Sequence, residues 1–364
     1  MKNKIKVVII LLLFLIGIIV AIKWKIGEPV RFVTEMGVGI NLGNSLDATN
    51  VKEYKEDADV AYYETAWSNP PITQKMFAAI YEAGFKTVRI PVSWEEHLDQ
   101  EGTIDSAWLE RVHEVVLQAI AENLYVVLDV HHESWVIPTL EKEKETTRLL
   151  CKVWQQIAKK FSKVGEHLLF ESMNEPRLVN SELEWNGGSA EMRQVVNRLN
   201  MAFVETVRTA GGENKTRYLL LPAYGSSGMV DALEALELPP NDKHIIVSVH
   251  AYCSYDFSQK EEGTRHWSRE EIKDTEEITE LTTFLQKRFI RKGIPVIISE
   301  FACMDKNNLQ DRLAWTTFYT EAARTNKLGY IWWDDGKKFA IFNRHDSTWI
   351  YPEIKNVLTL KGKR

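Results

Sequence analysis

The stretch HLLFESMNEP, His167 to Pro176, begins as an apolar run and ends in Asn174, Glu175 and a proline that has no backbone N–H to donate. His167 to Phe170 reads as a buried strand, and the proline bars its continuation in a sheet. Glu175 therefore stands at the C-terminal rim of that strand. In parallel α/β folds this rim is where chemistry gathers, so the fold turns on whether the same unit recurs along the chain.

It recurs. Strand-like apolar runs followed by helix-like stretches occur at Gly37 to Leu42, Lys86 to Ile90, Tyr125 to Val130, His167 to Phe170, Arg217 to Leu221, His244 to Val249, Pro295 to Ser299, and Leu328 to Trp332. Capping signals open the helical stretches between them: Thr73 before QKMFAAIYEAG, Ser106 before AWLERVHEVVLQAIAEN, and Asp311 before RLAWTTFYTEAART. Strict alternation of this kind means a parallel sheet. Eight β/α units in roughly 330 residues predict a (β/α)8 TIM barrel. A doubly wound sheet would carry the fingerprint GxGxxG, which is absent. Without low-complexity tracts, linkers or short-period repeats, residues 31–364 are expected to form one domain.

Composition is ordinary for a globular chain, 364 residues, 45% hydrophobic and 26% charged, long enough for one large barrel or two medium domains. The chain carries a net charge of −6, but residues 1–30 hold five lysines and one glutamate, so the remainder stands at −10. Nucleic acid is an unsuitable partner for such a surface. Residues 1–30 are a separate object. Lys2, Lys4 and Lys6 precede the uncharged apolar run Val7 to Ile22, which ends in Lys23-Trp24-Lys25 without a small-x-small cleavage motif. Sixteen residues are long for a signal-peptide core and short for a span, so a cleaved export signal and a retained membrane tether both stay open. Either places the protein outside the cell or at its surface. Three cysteines, Cys151, Cys253 and Cys303, show no CxxC spacing and exclude a disulfide framework. Cys151 reads as a core residue of an amphipathic helix, and a single Cys253–Cys303 bridge is left open.

Polar groups converge on the rim from nearly every strand. The first run leads into Asn41-Leu42-Gly43-Asn44, the second contains Arg89, and the third runs into Asp129-Val130-His131-His132. The fourth ends in Asn174-Glu175, the sixth in His250-Ala251-Tyr252, the seventh in Glu300, and the eighth in Trp332-Trp333-Asp334-Asp335. An inward Arg89 between Val88 and Ile90 needs a carboxylate partner, because an unpaired buried charge is very costly. A purely structural ion pair would serve equally well. Two carboxylates on the fourth and seventh strands, joined by that arginine and by His250-x-Tyr252, are harder to explain by packing.

These residues resemble glycoside hydrolase family 5, and its fourth subfamily most. The resemblance is carried in order by GVGINLGNSLDA (37–48), ETAWSNP (64–70), KTVRIPVSW (86–94), VLDVHHESW (127–135), ESMNEPR (171–177), EWNGG (184–188), LLLPAY (219–224), SVHAYCSYDF (248–257), VIISEF (296–301) and YIWWDDG (330–336). It implies a retaining endo-β-1,4-glucanase acting on a β-1,4-linked polysaccharide, monomeric and without cofactor or metal. It also implies that Glu175 is the acid/base and Glu300 the nucleophile. Asn174 would bind the sugar 2-hydroxyl, His250 would orient Glu175, and Trp333 would form a platform under the ring next to the scissile bond. His131, His132 and Asn44 would bind further hydroxyls. Arg89 and Tyr252 would hold Glu300 ionised, and the charge of Glu300 would keep Glu175 protonated. The family usually has glycine at Ser68, proline at Ser254 and asparagine at Asp335, departures that bear on substrate preference.

Twelve tryptophans suit pyranose rings, whose C–H faces stack on indoles. Trp67, Trp94, Trp135, Trp185 and Trp267 fall in predicted loops or near strand ends, and most are expected to pack beneath those loops. Two competing readings differ in class, and a third stays within it. A catalytic metal held by His131, His132, His250, Cys253 and Cys303 lacks HxH or HExxH spacing. A tethered polysaccharide-binding barrel would not require both Glu175 and Glu300. A xyloglucan or xylan endohydrolase would use the same mechanism.

Overall fold

The computed structural model describes residues 27–360, so the apolar run Val7 to Ile22 lies outside the described residues. Eight strands close a barrel in chain order: β1 (Gly39–Asn41), β2 (Thr87–Ile90), β3 (Tyr125–Asp129), β4 (Leu168–Glu171), β5 (Leu219–Ser227), β6 (Ile245–His250), β7 (Val296–Phe301) and β8 (Gly329–Trp332). Every neighbouring pair is parallel, including β1 with β8. The expected eightfold alternation is thus present, and β5 and β7 run further toward the rim than their apolar runs suggested.

Alternate strand residues point into the lumen. Val127, Leu169, Leu220, Ile246, Ile297 and Ile331 form its lowest layer, and the helix Glu28–Met36 closes the floor by adding Val33 and Met36 from below. That helix begins inside the stretch 1–30, so the barrel starts earlier than residue 31. The opposite strand faces pack against the surrounding helices through large buried side chains such as Trp108, Trp154 and Trp315. Truncating a residue of the lumen layer, for example Leu169→Ala, would cost about 2–5 kcal/mol through lost transfer energy and the cavity left behind.

Helix starts depart from the sequence signals. Thr73 precedes the helix Gln74–Ala83 but its hydroxyl makes no capping bond. Helix Ser106–Ala121 is capped by Asp105, whose carboxylate accepts from the Trp108 N–H at 2.9 Å, which leaves Ser106 as the first helical residue. Asp311 lies within the first turn of helix Leu309–Thr325 and instead accepts from the backbone N–H of Trp267 at 3.0 Å. Cys253 and Cys303 are buried free thiols, and Cys151 is half-buried.

One irregularity matters for the site. Along β6, Val249 pairs with Ile298 but His250 pairs with Glu300, and along β7 the partners of β8 shift between Ile298 and Phe301. Ser299 is therefore the extra residue of a β-bulge. Strict alternation from Ile297 would face Ser299 inward and Glu300 outward; the bulge brings both to the lumen. Asn41 Nδ2 donates to the Ser299 carbonyl at 2.9 Å and to the Trp332 carbonyl at 3.2 Å, accepting the backbone that the bulge leaves irregular.

Candidate active site

Arg89 is the hub at the centre of the lumen. Its Nε donates to Glu171 Oε2 at 2.5 Å, Nη1 to Asn41 Oδ1 at 3.0 Å and Glu300 Oε1 at 2.7 Å, and Nη2 to Asp129 Oδ2 and Asn174 Oδ1, both at 2.8 Å. All five N–H donors are used, in the planar fork that only arginine offers. Burial alone would lower its proton affinity, and the charges of Glu171, Asp129 and Glu300 reverse that and raise it. The guanidinium is completely enclosed. It therefore positions the polar groups above it rather than facing the cleft. Ser248 and Ser299 complete the layer: the Ser248 hydroxyl donates to Glu171 and lies 2.6 Å from that of Ser299.

Above Arg89 stand the two rim carboxylates. Tyr252 donates its phenol to Glu300 Oε2 at 2.8 Å. His250 Nδ1 lies 2.9 Å from Glu175 Oε1 and 3.5 Å from Glu300 Oε2, and one oxygen of each carboxylate and this nitrogen all fall within 4.8 Å of one another. Burial is the leading cause that raises both Glu175 and Glu300 above the usual carboxylate range. The expected cause for Glu175, the charge of Glu300, gives way to burial. Glu300 is drawn back down by His250, Arg89 and the Tyr252 hydroxyl, whereas Glu175 is opposed chiefly by Arg177. Burial also lowers His250, against the nearby carboxylate of Glu300, which raises it.

A second cluster continues the rim over β1, β3 and β8. His131 donates Nδ1–H to Asp129 Oδ2 at 2.6 Å, which fixes its tautomer and leaves Nε2 as an acceptor, 4.0 Å from Asp47 Oδ2. Desolvation raises both Asp47 and Asp129 to about 6. His132 packs edge-on to His131 and beside Trp67, and burial lowers it to about 3. The Trp333 indole lies parallel to the His131 ring, with centroids 5.9 Å apart. Gly43 makes room for it: a Cβ there would stand 2.5 Å from Trp333 Cη2. Asn44 contributes its backbone, which donates to Asp47 and accepts from Asn69 Nδ2 at 2.8 Å, so it shapes this loop. Arg344 ties the loop to β8, donating to the carbonyls of Gly43 and Asp334.

On the other side of Glu175 a cavity of about 1320 Å³ opens between the loops after β4, β5 and β6, lined among others by Glu184, Trp185, Met229, Tyr252 and Phe284. Trp185 is 58% exposed, whereas Trp94 and Trp267 are buried and hydrogen-bond backbone carbonyls beneath their loops. Trp67 and Trp135 are half-buried. Cys253 and Cys303 join neither of the side-chain clusters that could hold a metal among the described residues, namely Asp47 with His131 and His132, and Glu175 with His250 and Glu300.

A sequence profile described as cellulase (glycosyl hydrolase family 5) matches residues 51–339. The chain belongs to glycosyl hydrolase family 5. It is 40% identical over 341 residues to the cellulase/esterase CelE of Acetivibrio thermocellus, covering 91% of this chain and 40% of that protein. It is also 40% identical over 338 residues to Endoglucanase A of Clostridium longisporum, covering 90% and 65%. The chain thus spans less than two thirds of either relative. A broad-specificity endoglucanase of family 5, subfamily 4, from Ruminococcus champanellensis, solved with bound cellotriose, superposes with a TM-score of 0.87 at 37% identity, covering 93% of this chain and 99% of that one.

Within this family 5 barrel, Arg89, Asn174, Glu300 and Tyr252 form one hydrogen-bonded group, His250 and Glu175 form a bonded pair beside it, and His131, His132 and Trp333 pack ring against ring next to them. Asn41 and Asp129 were named at the rim without a role, and Glu171 and Asp47 were not named as site residues; lumen-facing parity in β1, β3 and β4 was the available signal for Asn41, Asp129 and Glu171. Ser68, where the family usually has glycine, holds φ at 71°, in the left-handed region that glycine occupies without strain. Asp335 caps its own loop, accepting from the N–H groups of Lys337 and Phe339.

Proposed function

We propose that this barrel is a retaining endo-β-1,4-glucanase that cleaves internal bonds of cellulose and related β-glucans by double displacement. The observation that carries this is the close approach of Glu175 and Glu300, with oxygens within 4.8 Å, at the rims of β4 and β7. Retaining glycosidases place their carboxyl groups about 5–5.5 Å apart, too near for an intervening water. Two buried carboxyls so close share one proton. Donation from Arg89 and Tyr252 assigns the negative charge to Glu300 and the proton to Glu175.

Glu300 attacks the anomeric carbon while Glu175 gives its proton to the departing glycosidic oxygen. Having given up its proton in the first step, Glu175 is a carboxylate when the ester has formed, and it accepts a proton from the attacking water in the second step. Asn174 has Oδ1 held by Arg89. Its Nδ2 is the donor left for the sugar 2-hydroxyl, where a contact strengthens as positive charge develops on the ring. His131 and His132 receive hydroxyls, and Trp333 supports the ring. Several indoles along the rim suit attack within a chain, as does similarity to proteins named endoglucanases.

The broad cavity beside Glu175 favours a second reading with the same chemistry, hydrolysis of a branched glucan such as xyloglucan. Viscosity and reducing ends followed together on carboxymethylcellulose, lichenan, xyloglucan and xylan, for wild type and Glu300→Gly, separate the readings. Rapid viscosity loss by wild type alone is expected on β-glucans. Binding without hydrolysis by both proteins would refute the enzyme reading and leave a polysaccharide receptor. The lysines and apolar run in residues 1–30 support export or surface tethering, which cell fractionation and N-terminal sequencing of the mature protein test.

A further inference from the structure

We propose that Arg177 is a positioning residue that anchors the acid/base carboxylate of Glu175, and that Glu184 and Trp185 hold Arg177 in place and set how strongly it acts. The inference rests on the acid/base role proposed above for Glu175. Arg177 lies two residues beyond Glu175, on the loop that forms one wall of the large cavity. Its Nη1 donates to Glu175 Oε2 at 3.1 Å and to the Glu175 carbonyl at 3.2 Å, while its Nε donates to Glu184 Oε1 at 3.0 Å. Glu184 is itself fixed, since its Oε2 accepts from the Asn180 N–H at 2.8 Å. The guanidinium carbon sits over the Trp185 ring, 4.3 Å from its centroid, and Trp185 also lines the cavity.

Glu175 is thereby held at both oxygens, Oε1 by His250 and Oε2 by Arg177. A carboxyl that must aim its proton at a leaving oxygen benefits from such a grip. A full positive charge so close also works against holding the proton. Glu184 resolves the conflict: it competes for the same guanidinium and adds a negative charge nearby. The charged and titratable groups around Glu175 are Arg177 and Glu184 on its own loop, His132 after β3, His250 and Tyr252 after β6, Glu300 on β7 and Arg89 on β2. After burial, Arg177 is the largest influence on Glu175 and lowers it, and Glu184 raises it.

The two partners therefore have opposite effects on one observable. As a general acid, Glu175 sets the alkaline limb of kcat/KM. Arg177→Met removes the opposing cation and is expected to move that limb upward by about one pH unit, with a lower kcat from the loosened carboxyl. Glu184→Gln frees Arg177 to act fully on Glu175 and is expected to move the limb downward. Arg177→Lys keeps the charge and holds the limb near its wild-type position. A packing role alone would reduce activity without shifts of opposite sign.

The experiment measures kcat/KM against pH on cello-oligosaccharides for wild type and the three variants, together with the side-chain carboxyl 13C titration of Glu175, assigned by its loss in Glu175→Gln. Opposite shifts in Arg177→Met and Glu184→Gln support the inference. Shifts of equal sign, or none, overturn it. Should Arg177→Met fail to fold, the downward shift in Glu184→Gln and its absence in Arg177→Lys decide. An inactive wild type would refute the proposed hydrolysis, while the carboxyl titration would still decide the role of Arg177.

Discussion

Arg89→Met removes the one cation that Asp129, Glu171 and Glu300 share inside the barrel. Breaking a buried pair by deleting one partner costs about 3–5 kcal/mol, because the remaining charge stays buried without compensation. Here three carboxylates, with Asn41 and Asn174, lose their donor, which puts the loss at the upper end of that range. The sign of its pH dependence follows from the carboxyls. Asp129, raised to about 6 even with Arg89 present, and Glu300, also raised, move further up when the cation goes. A folded-state value above the unfolded one means little penalty at low pH and a growing penalty as pH climbs through the folded value. Urea unfolding of wild type and Arg89→Met at pH 5 and pH 8 is the assay. The variant should lose markedly more stability at pH 8 than at pH 5. A loss below about 1 kcal/mol at both pH values would falsify the view of Arg89 as the electrostatic keystone.

Deleting Ser299 removes the bulge and returns β7 to plain alternation, so Glu300 should leave the lumen and activity should fall about a thousandfold or more while circular dichroism stays that of a folded barrel. Tyr252→Phe removes a donor to Glu300. Its kcat should drop about 10- to 100-fold, in line with about 1.5–3 kcal/mol for a hydrogen bond to a charged group. Because that bond lowers Glu300, the acidic limb of the pH–rate profile should move upward, and an unmoved limb would count against it. Ser68→Gly relieves a left-handed backbone angle and should raise stability by about 1 kcal/mol in thermal unfolding, with activity retained.

Most of the barrel was legible because its signal is periodic. Each apolar run is short, flanked by polar residues and followed by an amphipathic stretch, so the β/α alternation survives errors at every boundary. The helix starts were less legible: Asp105 and Ser106 are both good capping residues, and only the backbone angle at Asp105 decides between them. In the site, rim residues such as Glu175 and His250 could be found from strand ends. Glu300 was found from its motif and its strand, whereas the period of two would have faced it outward; the bulge that rescues it leaves no local mark in Ile298-Ser299-Glu300. Asp129 and Glu171 lie within strands, where a lone acidic residue gives no sign of the arginine waiting across the lumen. The loop network of Asp47, Asn69, Asp334 and Arg344 joins positions hundreds of residues apart, and no spacing rule reaches that far.

The helix Glu28–Met36 enters the barrel at its floor, under the lowest lumen layer, while Glu175 and Glu300 stand at the opposite mouth. Anything the chain carries before residue 27 is therefore attached at the pole farthest from the cleft. If that part holds the protein to a surface, the mouth looks outward, toward polymer arriving from the medium, and a long glucan can lie across it without having to pass between enzyme and support. Attachment and catalysis would then be independent by geometry, and an immobilised form tethered through the same end should turn over large substrates as readily as the free one.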